Sequence, residues 1–298
     1  MRFHQSVAFL ETDQLLELCQ ATDQMGYAGI SISDHLFYPQ ELQSRYTYSP
    51  YEDGSPIWGP EADWPDSWCL ISAMAALTTD LTFTTSVYIA PARDLITVAK
   101  LAGTAAFISH DRVRFGVGVG WCKEEFDATG QDFATRGPRL DDMILALRAL
   151  WGSGWVEYHG SHYDVPPMQM NPCPRQPIPI YIGGHSTPAI RRAAALGDGW
   201  LGASAYTPDE AWHYLEVVQA ALRAAGRADE PFVIYLALKT LPDLDLYRRL
   251  EDAGVTDLLC APWMLTASSE GGSYRSDLDA KLAATEDFAT NVIAKMGS

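Results

Sequence analysis

The chain has 298 residues, 47% hydrophobic and 20% charged, enough to bury one large core. Asp+Glu is 38 against Lys+Arg 21, a net charge of −17, which excludes a general nucleic-acid binder and electrostatic docking on anionic lipid. No run is apolar and long enough to span a bilayer, and MRFHQSVAFLETDQ has no basic stretch leading into an apolar one, so neither a membrane anchor nor a signal peptide is read.

Strands and helices alternate along the chain. Phe3–Phe9 reads as a strand; Thr12–Met25 follows with Leu15, Leu16, Leu18 and Cys19 at helical spacing and Gly26 as the stop. Ala28–Ser33 is a short strand, and Asp66–Thr79 a helix capped by Asp66 or Ser67. Leu81–Val87 (strand), Asp94–Ser109 (helix), Val113–Val119 (strand) and Thr135–Leu150 (helix) come next. Ile178–Ile182, Gly199–Gly202, Pro231–Leu238 and Thr256–Ala261 read as strands, followed by helices over Ser186–Leu196, Pro208–Ala225, Leu244–Ala253 and Ser276–Lys295. Eight strands each followed by a helix imply parallel βαβ units and a (β/α)8 TIM barrel as a single domain over residues 1–298. A doubly wound sheet is disfavoured because the first turn, LETD, has no glycine.

Two stretches interrupt the repeat. Phe37–Pro65, rich in Tyr, Trp, Pro and acids, is long enough to be a functional lid or a disordered loop, and its aromatics favour an ordered lid. In Gly152–Pro177, WVEYHGSHYDV reads as a hairpin turning at Gly160-Ser161 and PPMQMNPCPRQP as an extended, proline-pinned tail. Cys19, Cys69, Cys122, Cys173 and Cys260 are odd in number and scattered, which points to no disulfide framework and a reducing, cytoplasmic setting.

Barrel chemistry belongs at the C-terminal ends of the strands. Asp34-His35 ends the second strand, and a His there can move a proton or serve as a structural group. Gly183-Gly184 opens the helix near Ser186, which makes either a phosphate site at a helix N-terminus or a tight capped turn. Gly116, Gly118 and Gly120 alternate, so something bulky packs on one face, a ligand or a neighbouring side chain. Facing strand-end carboxylates for glycoside hydrolysis, clustered ligands for a metal, and a G-x-S-x-G elbow are all missing.

Together Ser31–His35, RYTYSPYEDGSPIWGPEADWPDSW, Thr85-Ser86-Val87, GVGVGWCKEEFDATGQDFATRGPRLDDMI, PIPIYIGGHS and GDGWLG resemble the bacterial luciferase-like superfamily. Within it the chain is most similar to the actinobacterial branch that uses the deazaflavin coenzyme F420. The resemblance implies hydride transfer between F420 and a small organic substrate, with His35 as proton donor or stabiliser and Asp34 beside the ring. It implies a non-proline cis peptide at Ser86-Val87, ring and tail contacts from Gly120 and Glu124, and a phosphate turn at Gly183-Gly184 on the strand carrying Ile182. It also implies a cofactor-side turn at Gly199-Trp200 and a homodimer paired through helices near the second and third strands. The alternatives are an FMN-dependent monooxygenase served by a separate flavin reductase and a non-catalytic cofactor-binding protein. Sugar-phosphate dehydrogenases of the family carry a catalytic Glu where this chain has Trp121. Trp121 with Trp58, Trp64, Tyr46, Tyr48 and Tyr51 suggests an apolar or aromatic substrate pocket, or rings that close the lid.

Overall fold

Alternation of side chains gives each strand two faces. In the first strand Phe3 packs on Tyr247 and Phe288 in the helix layer, while His4 turns the other way onto Tyr235, ring centroids 4.8 Å apart. The computed structural model describes residues 1–265, 268–270, 273–275 and 277–297. In chain order the elements are β1 (Arg2–Ser6), α1 (Leu15–Gln24), β2 (Gly29–Ile32), α2 (Ser67–Leu77), β3 (Thr82–Thr85), α3 (Leu95–Ile108), β4 (Val113–Val117), α4 (Lys123–Thr129) and α5 (Arg136–Leu150). Next come β5 (Val156–His159), β6 (Asp164–Met168), β7 (Ile180–Gly183), α6 (Thr187–Leu196), β8 (Gly199–Tyr206), α7 (Pro208–Ala224), β9 (Val233–Leu238), α8 (Leu244–Asp252) and β10 (Asp257–Cys260). The chain then passes β11 (Ser268–Glu270), β12 (Ser273–Arg275) and α9 (Leu278–Phe288), and ends in a π-turn and α10 (Ala294–Met296).

The strands β1, β2, β3, β4, β7, β8, β9 and β10 close into a barrel in that order, every neighbouring pair parallel. This is the (β/α)8 barrel that the alternation implied. Its interior is plugged by Tyr181, Leu201 and Tyr235 with Val87, Val233 and Leu259 against them. The outer core lies between strands and helices, where alanines of α3 such as Ala99, Ala102 and Ala105 let the helix sit close to the sheet.

Helix starts follow capping chemistry. Asp66 accepts from the backbone N–H of Trp68 and Cys69 (3.0 and 2.9 Å), Asp94 from Thr97 (2.9 Å), and Thr207 with Glu210 forms a capping box. The predicted hairpin is β5–β6, and Asp142 of α5 clamps its turn through the N–H of His162 (2.6 Å) and Tyr163 (2.9 Å).

Three differences from the sequence reading bear on the site. Helix α4 was not expected, because its seven residues hold only one apolar turn around the wholly buried Phe126. Strand β8 continues to Tyr206 rather than ending at Gly202, carrying an irregular register between Leu201 and Ala205. The last helix begins at Leu278; the expected start at Ser276 lies outside the described residues. Among the described residues no helix is long and apolar enough to cross a membrane.

Candidate active site

The C-terminal ends of the barrel strands open into a cavity of about 1260 Å³. Residues of the segment between β2 and α2, from Ser44 to Tyr48 and Ile57, Trp58 and Trp64, form part of its wall. That segment is tied down at both ends. Near its start, Glu125 of α4 accepts from the N–H of Leu36 (2.6 Å) and Glu124 from those of Gln43 (2.7 Å) and Ser44 (3.0 Å), while the Ser44 hydroxyl accepts from Lys123 N–H (2.9 Å). Near its end, Asp63 accepts from both the N–H and the hydroxyl of Thr12, each at 2.9 Å.

His35 stands on this wall inside a set of rings: Trp64 at 4.8 Å, Trp58 at 5.1 Å and Trp121 at 5.7 Å between centroids. Tyr46 closes the set against Trp58 and Trp121, and Phe9 against Trp58 and Trp64. Edge-to-face packing of this kind fixes each ring while leaving apolar surface for a ligand. His35 Nδ1 lies 3.1 Å from Oε1 of Glu125. Its neighbour Asp34 is buried, and both of its oxygens are taken: a bidentate pair with Arg93 (2.7 Å each) and the N–H of Ile89 (2.9 Å). The Arg93 guanidinium also lies over the Tyr88 ring, 4.1 Å from its centroid. Asp34 thereby anchors the β2 end to the turn after β3.

The Ser86–Val87 peptide is cis, as the resemblance implied. Val87 fills the space that two glycines leave open. A Cβ on Gly118 would lie 2.5 Å from its Cγ2, and one on Gly183 would lie 2.3 Å from its Cγ1. The bulk packed on the glycines in and just after β4 is thus mainly protein side chain: Val87 at Gly118, Ile89 and Phe126 at Gly120, and Leu201 with the Thr85 carbonyl at Gly116.

Across the cavity, Gly183 ends β7 and Gly184 turns with φ +117 into α6, capped by Ser186, which accepts from Ala189 N–H at 3.4 Å. Gly183 to Ser186 and Ala189 all line the cavity, so the first turn of a ten-residue helix faces it. The charged residues on the wall are Arg45, Lys123, Arg136 and Lys239 against one acid, Asp34, in a chain whose acids outnumber its bases 38 to 21. Arg136 donates to the carbonyls of Gly120 (3.2 Å) and Phe133 (2.8 Å), and burial lowers its pKa. This wall offers both positive charge for an anion and ring surface for an apolar molecule.

Residues 4–285 match the family described as luciferase-like monooxygenase. The chain belongs to that family. A protein of Mycobacterium tuberculosis described only as uncharacterised is 36% identical over 299 residues, 99% of this chain and 100% of that one. An F420-dependent glucose-6-phosphate dehydrogenase of Amycolatopsis mediterranei is 26% identical over 247 residues, 80% of this chain and 68% of that one. In fold, the chain is similar to a monooxygenase of Streptomyces bottropensis, with a TM-score of 0.71 at 17% identity over 99% of each chain. This luciferase-like protein is an oxidoreductase.

The luciferase-like barrel brings His35, Asp34, Ser86, Val87, Gly120, Trp121, Gly183 and Gly184 to one cavity. Four other expected contacts are placed elsewhere. Ile182 points outward into the helix layer and is fully buried there. Gly199 stands at the start of β8, where a Cβ would meet Tyr181 and Val233. Trp200 is also fully buried, and its indole N–H donates to the Gly184 carbonyl (2.7 Å), so it shapes that turn from behind. Glu124 is turned to the loop base rather than the cavity. Of the loop aromatics, Tyr51 is 54% exposed and sits in a shallow surface groove apart from the cavity. Sequence reasoning missed the buried Glu125 and the half-buried Arg93, the partners of His35 and Asp34.

Burial alone would raise the Glu124 carboxyl, but hydrogen bonds from Ser44 and the backbone of Gln43 outweigh it and bring the group down to about 2. A depressed carboxylate contributes in full above its ordinary value of 4.5, and the contribution is lost as pH falls toward about 2. Urea unfolding of Glu124→Gln across that window should show less acid sensitivity than the wild type. Equal slopes would mean that Glu124 does not hold the loop base.

Proposed function

We propose that this luciferase-like oxidoreductase transfers hydride between coenzyme F420 and a small uncharged organic substrate. The observation that carries the reading is the polarity of the cavity wall: a helix N-terminus and four cations, against a chamber of aromatic rings around His35. The residues present fit the cofactor. Gly184, at φ +117, keeps the turn open, and a side chain there would crowd Ala189 at 3.0 Å. The Gly184 N–H is given to the Leu201 carbonyl, so the N–H groups that follow it into α6 would hold a phosphodiester. Arg45, Arg136 and Lys239, with Lys123 already paired to Asp127, still offer more positive charge than a single phosphate needs, which supports a ligand whose tail carries carboxylates as well.

When bound, the deazaflavin supplies the hydride chemistry. The protein supplies the rest. The aromatic chamber takes the apolar body of the substrate and excludes water. His35 gives a proton to the substrate oxygen or removes one from it. Rings of Trp58, Trp64, Trp121, Tyr46 and Phe9 form the chamber, which favours an apolar substrate over a sugar phosphate.

Titration of the purified protein with F420 and, in parallel, with FMN tests this, read by cofactor fluorescence and thermal shift. Tight binding of F420 alone is the expected result. Preference for FMN would overturn it in favour of an FMN monooxygenase with a separate reductase. Sedimentation of the same samples is expected to show a dimer, because α2 has no charged residue and leaves Ala73 and Leu77 exposed beside Ile96 and Leu101 of α3. A monomer at all concentrations would remove that face as an interface.

A further inference from the structure

Glu125 opens a question that tethering the chain does not answer. Its side chain is 0% exposed. Its Oε1 meets the N–H of Leu36 at 2.6 Å and His35 Nδ1 at 3.1 Å, while its Oε2 is buried with no hydrogen-bond partner among the described residues. A neutral amide oxygen would hold Leu36 as well, without the desolvation of an ionised carboxylate. A buried carboxylate is favourable only where it faces a positive charge. Arg93 is already paired with Asp34 through both of that acid's oxygens. Among the described residues, the other basic side chain within hydrogen-bond reach of Glu125 is His35.

We propose that Glu125 is a positioning residue for His35. It keeps a hydrogen on Nδ1, so that Nε2 is the nitrogen left to the cavity, and it balances the charge that appears when Nε2 holds a proton. The inference rests on the proposed role of His35. In the oxidising direction Nε2 would take the hydroxyl proton of an alcohol substrate, and the bound cofactor would supply the acceptor for the hydride leaving its carbon. The C–H and O–H bonds break and a C=O bond forms. In the reducing direction both return. Sequence order gives no hint of this pairing, because 90 residues separate the partners.

The test uses cofactor-free protein and long-range proton–nitrogen NMR of the imidazoles in mildly alkaline buffer, with His35 assigned by His35→Asn. The wild type should carry its hydrogen on Nδ1. Glu125→Gln, which keeps an acceptor oxygen, should fold and keep that tautomer. Its kcat should nevertheless fall about 10- to 100-fold with KM little changed. Glu125→Leu should lose the tautomer preference. A wild-type hydrogen on Nε2, or a Glu125→Gln enzyme with wild-type kcat, would overturn the proposal. If the protein turns over with FMN instead of F420, the kcat comparison is made with FMN. The tautomer measurement needs neither cofactor, so failure of the F420 reading and failure of this one remain separate.

Discussion

His35→Ala should turn over about 100- to 10,000-fold more slowly than the wild type, the range that a positioned proton donor supplies. Cofactor binding should hardly change, because the anion-facing turn and the cations lie on other elements: Gly183-Gly184 after β7, Arg136 on α5 and Lys239 beyond β9. Removing a ring from between Trp58, Trp64 and Trp121 leaves a gap that these indoles could fill. His35→Asn is therefore the companion variant: it keeps a donor for Glu125 and some of the volume, but has no nitrogen that can titrate. Both should bind cofactor and both should be slow. Wild-type turnover in either would remove His35 from the chemistry and leave it as packing in an aromatic wall.

Gly118→Ala should cost the protein its cofactor. The added Cβ would come 2.5 Å from Val87 Cγ2, closer than packed carbons approach. Val87 cannot retreat sideways, because the backbone at Gly183 already holds its other methyl. The remaining direction is into the cavity that Val87 lines. Overpacking of this kind costs about 1–3 kcal/mol, which corresponds to a loss of affinity of about 5- to 150-fold if the strain is relieved by occupying the ligand's space. Gly118 was chosen over Gly183 because the latter also forms the anion-facing turn. Val87→Ala added to Gly118→Ala removes both clashing methyls and should restore much of the affinity. Fluorescence titration of the three proteins decides. Normal binding by Gly118→Ala, or no rescue by Val87→Ala, would show that this glycine is not there for Val87.

The barrel was legible because most of its strands carry β-branched or aromatic residues and stand between helices with recognisable caps. Asp66, Asp94 and Ser186 mark three starts within one residue. The site was legible where chemistry and position coincide, as at Asp34-His35 and Gly183-Gly184. It was misread where a motif was carried over without its place along the strand. Gly199-Trp200 begins β8 and stands behind the cavity wall, Trp200 level with Ile182, and the later residues Gly202 to Ala205 reach the cavity instead. Glu124 was named and its neighbour Glu125 passed over for another reason. Adjacent helical residues point about 100° apart. A short helix with little apolar periodicity gives no signal of which acid turns inward. The partners Arg93 and Glu125 are joined to their targets by contacts 59 and 90 residues apart, and pairing at that range is written in the fold.

The double anchoring of the segment between β2 and α2 makes it an exchangeable part. Its first anchor, at Leu36, Gln43 and Ser44, and its last, at Asp63 and the Asp66 cap, both sit on the barrel frame. Between them, residues 45–62 supply Tyr46, Tyr48 and Trp58 to the wall. Evolution or a designer could therefore replace that stretch in length and composition and change which molecules are admitted. His35 would stay in place, gripped from below by α4 at a point outside the exchanged piece. A barrel built this way diversifies by trading its roof while the hearth is left alone.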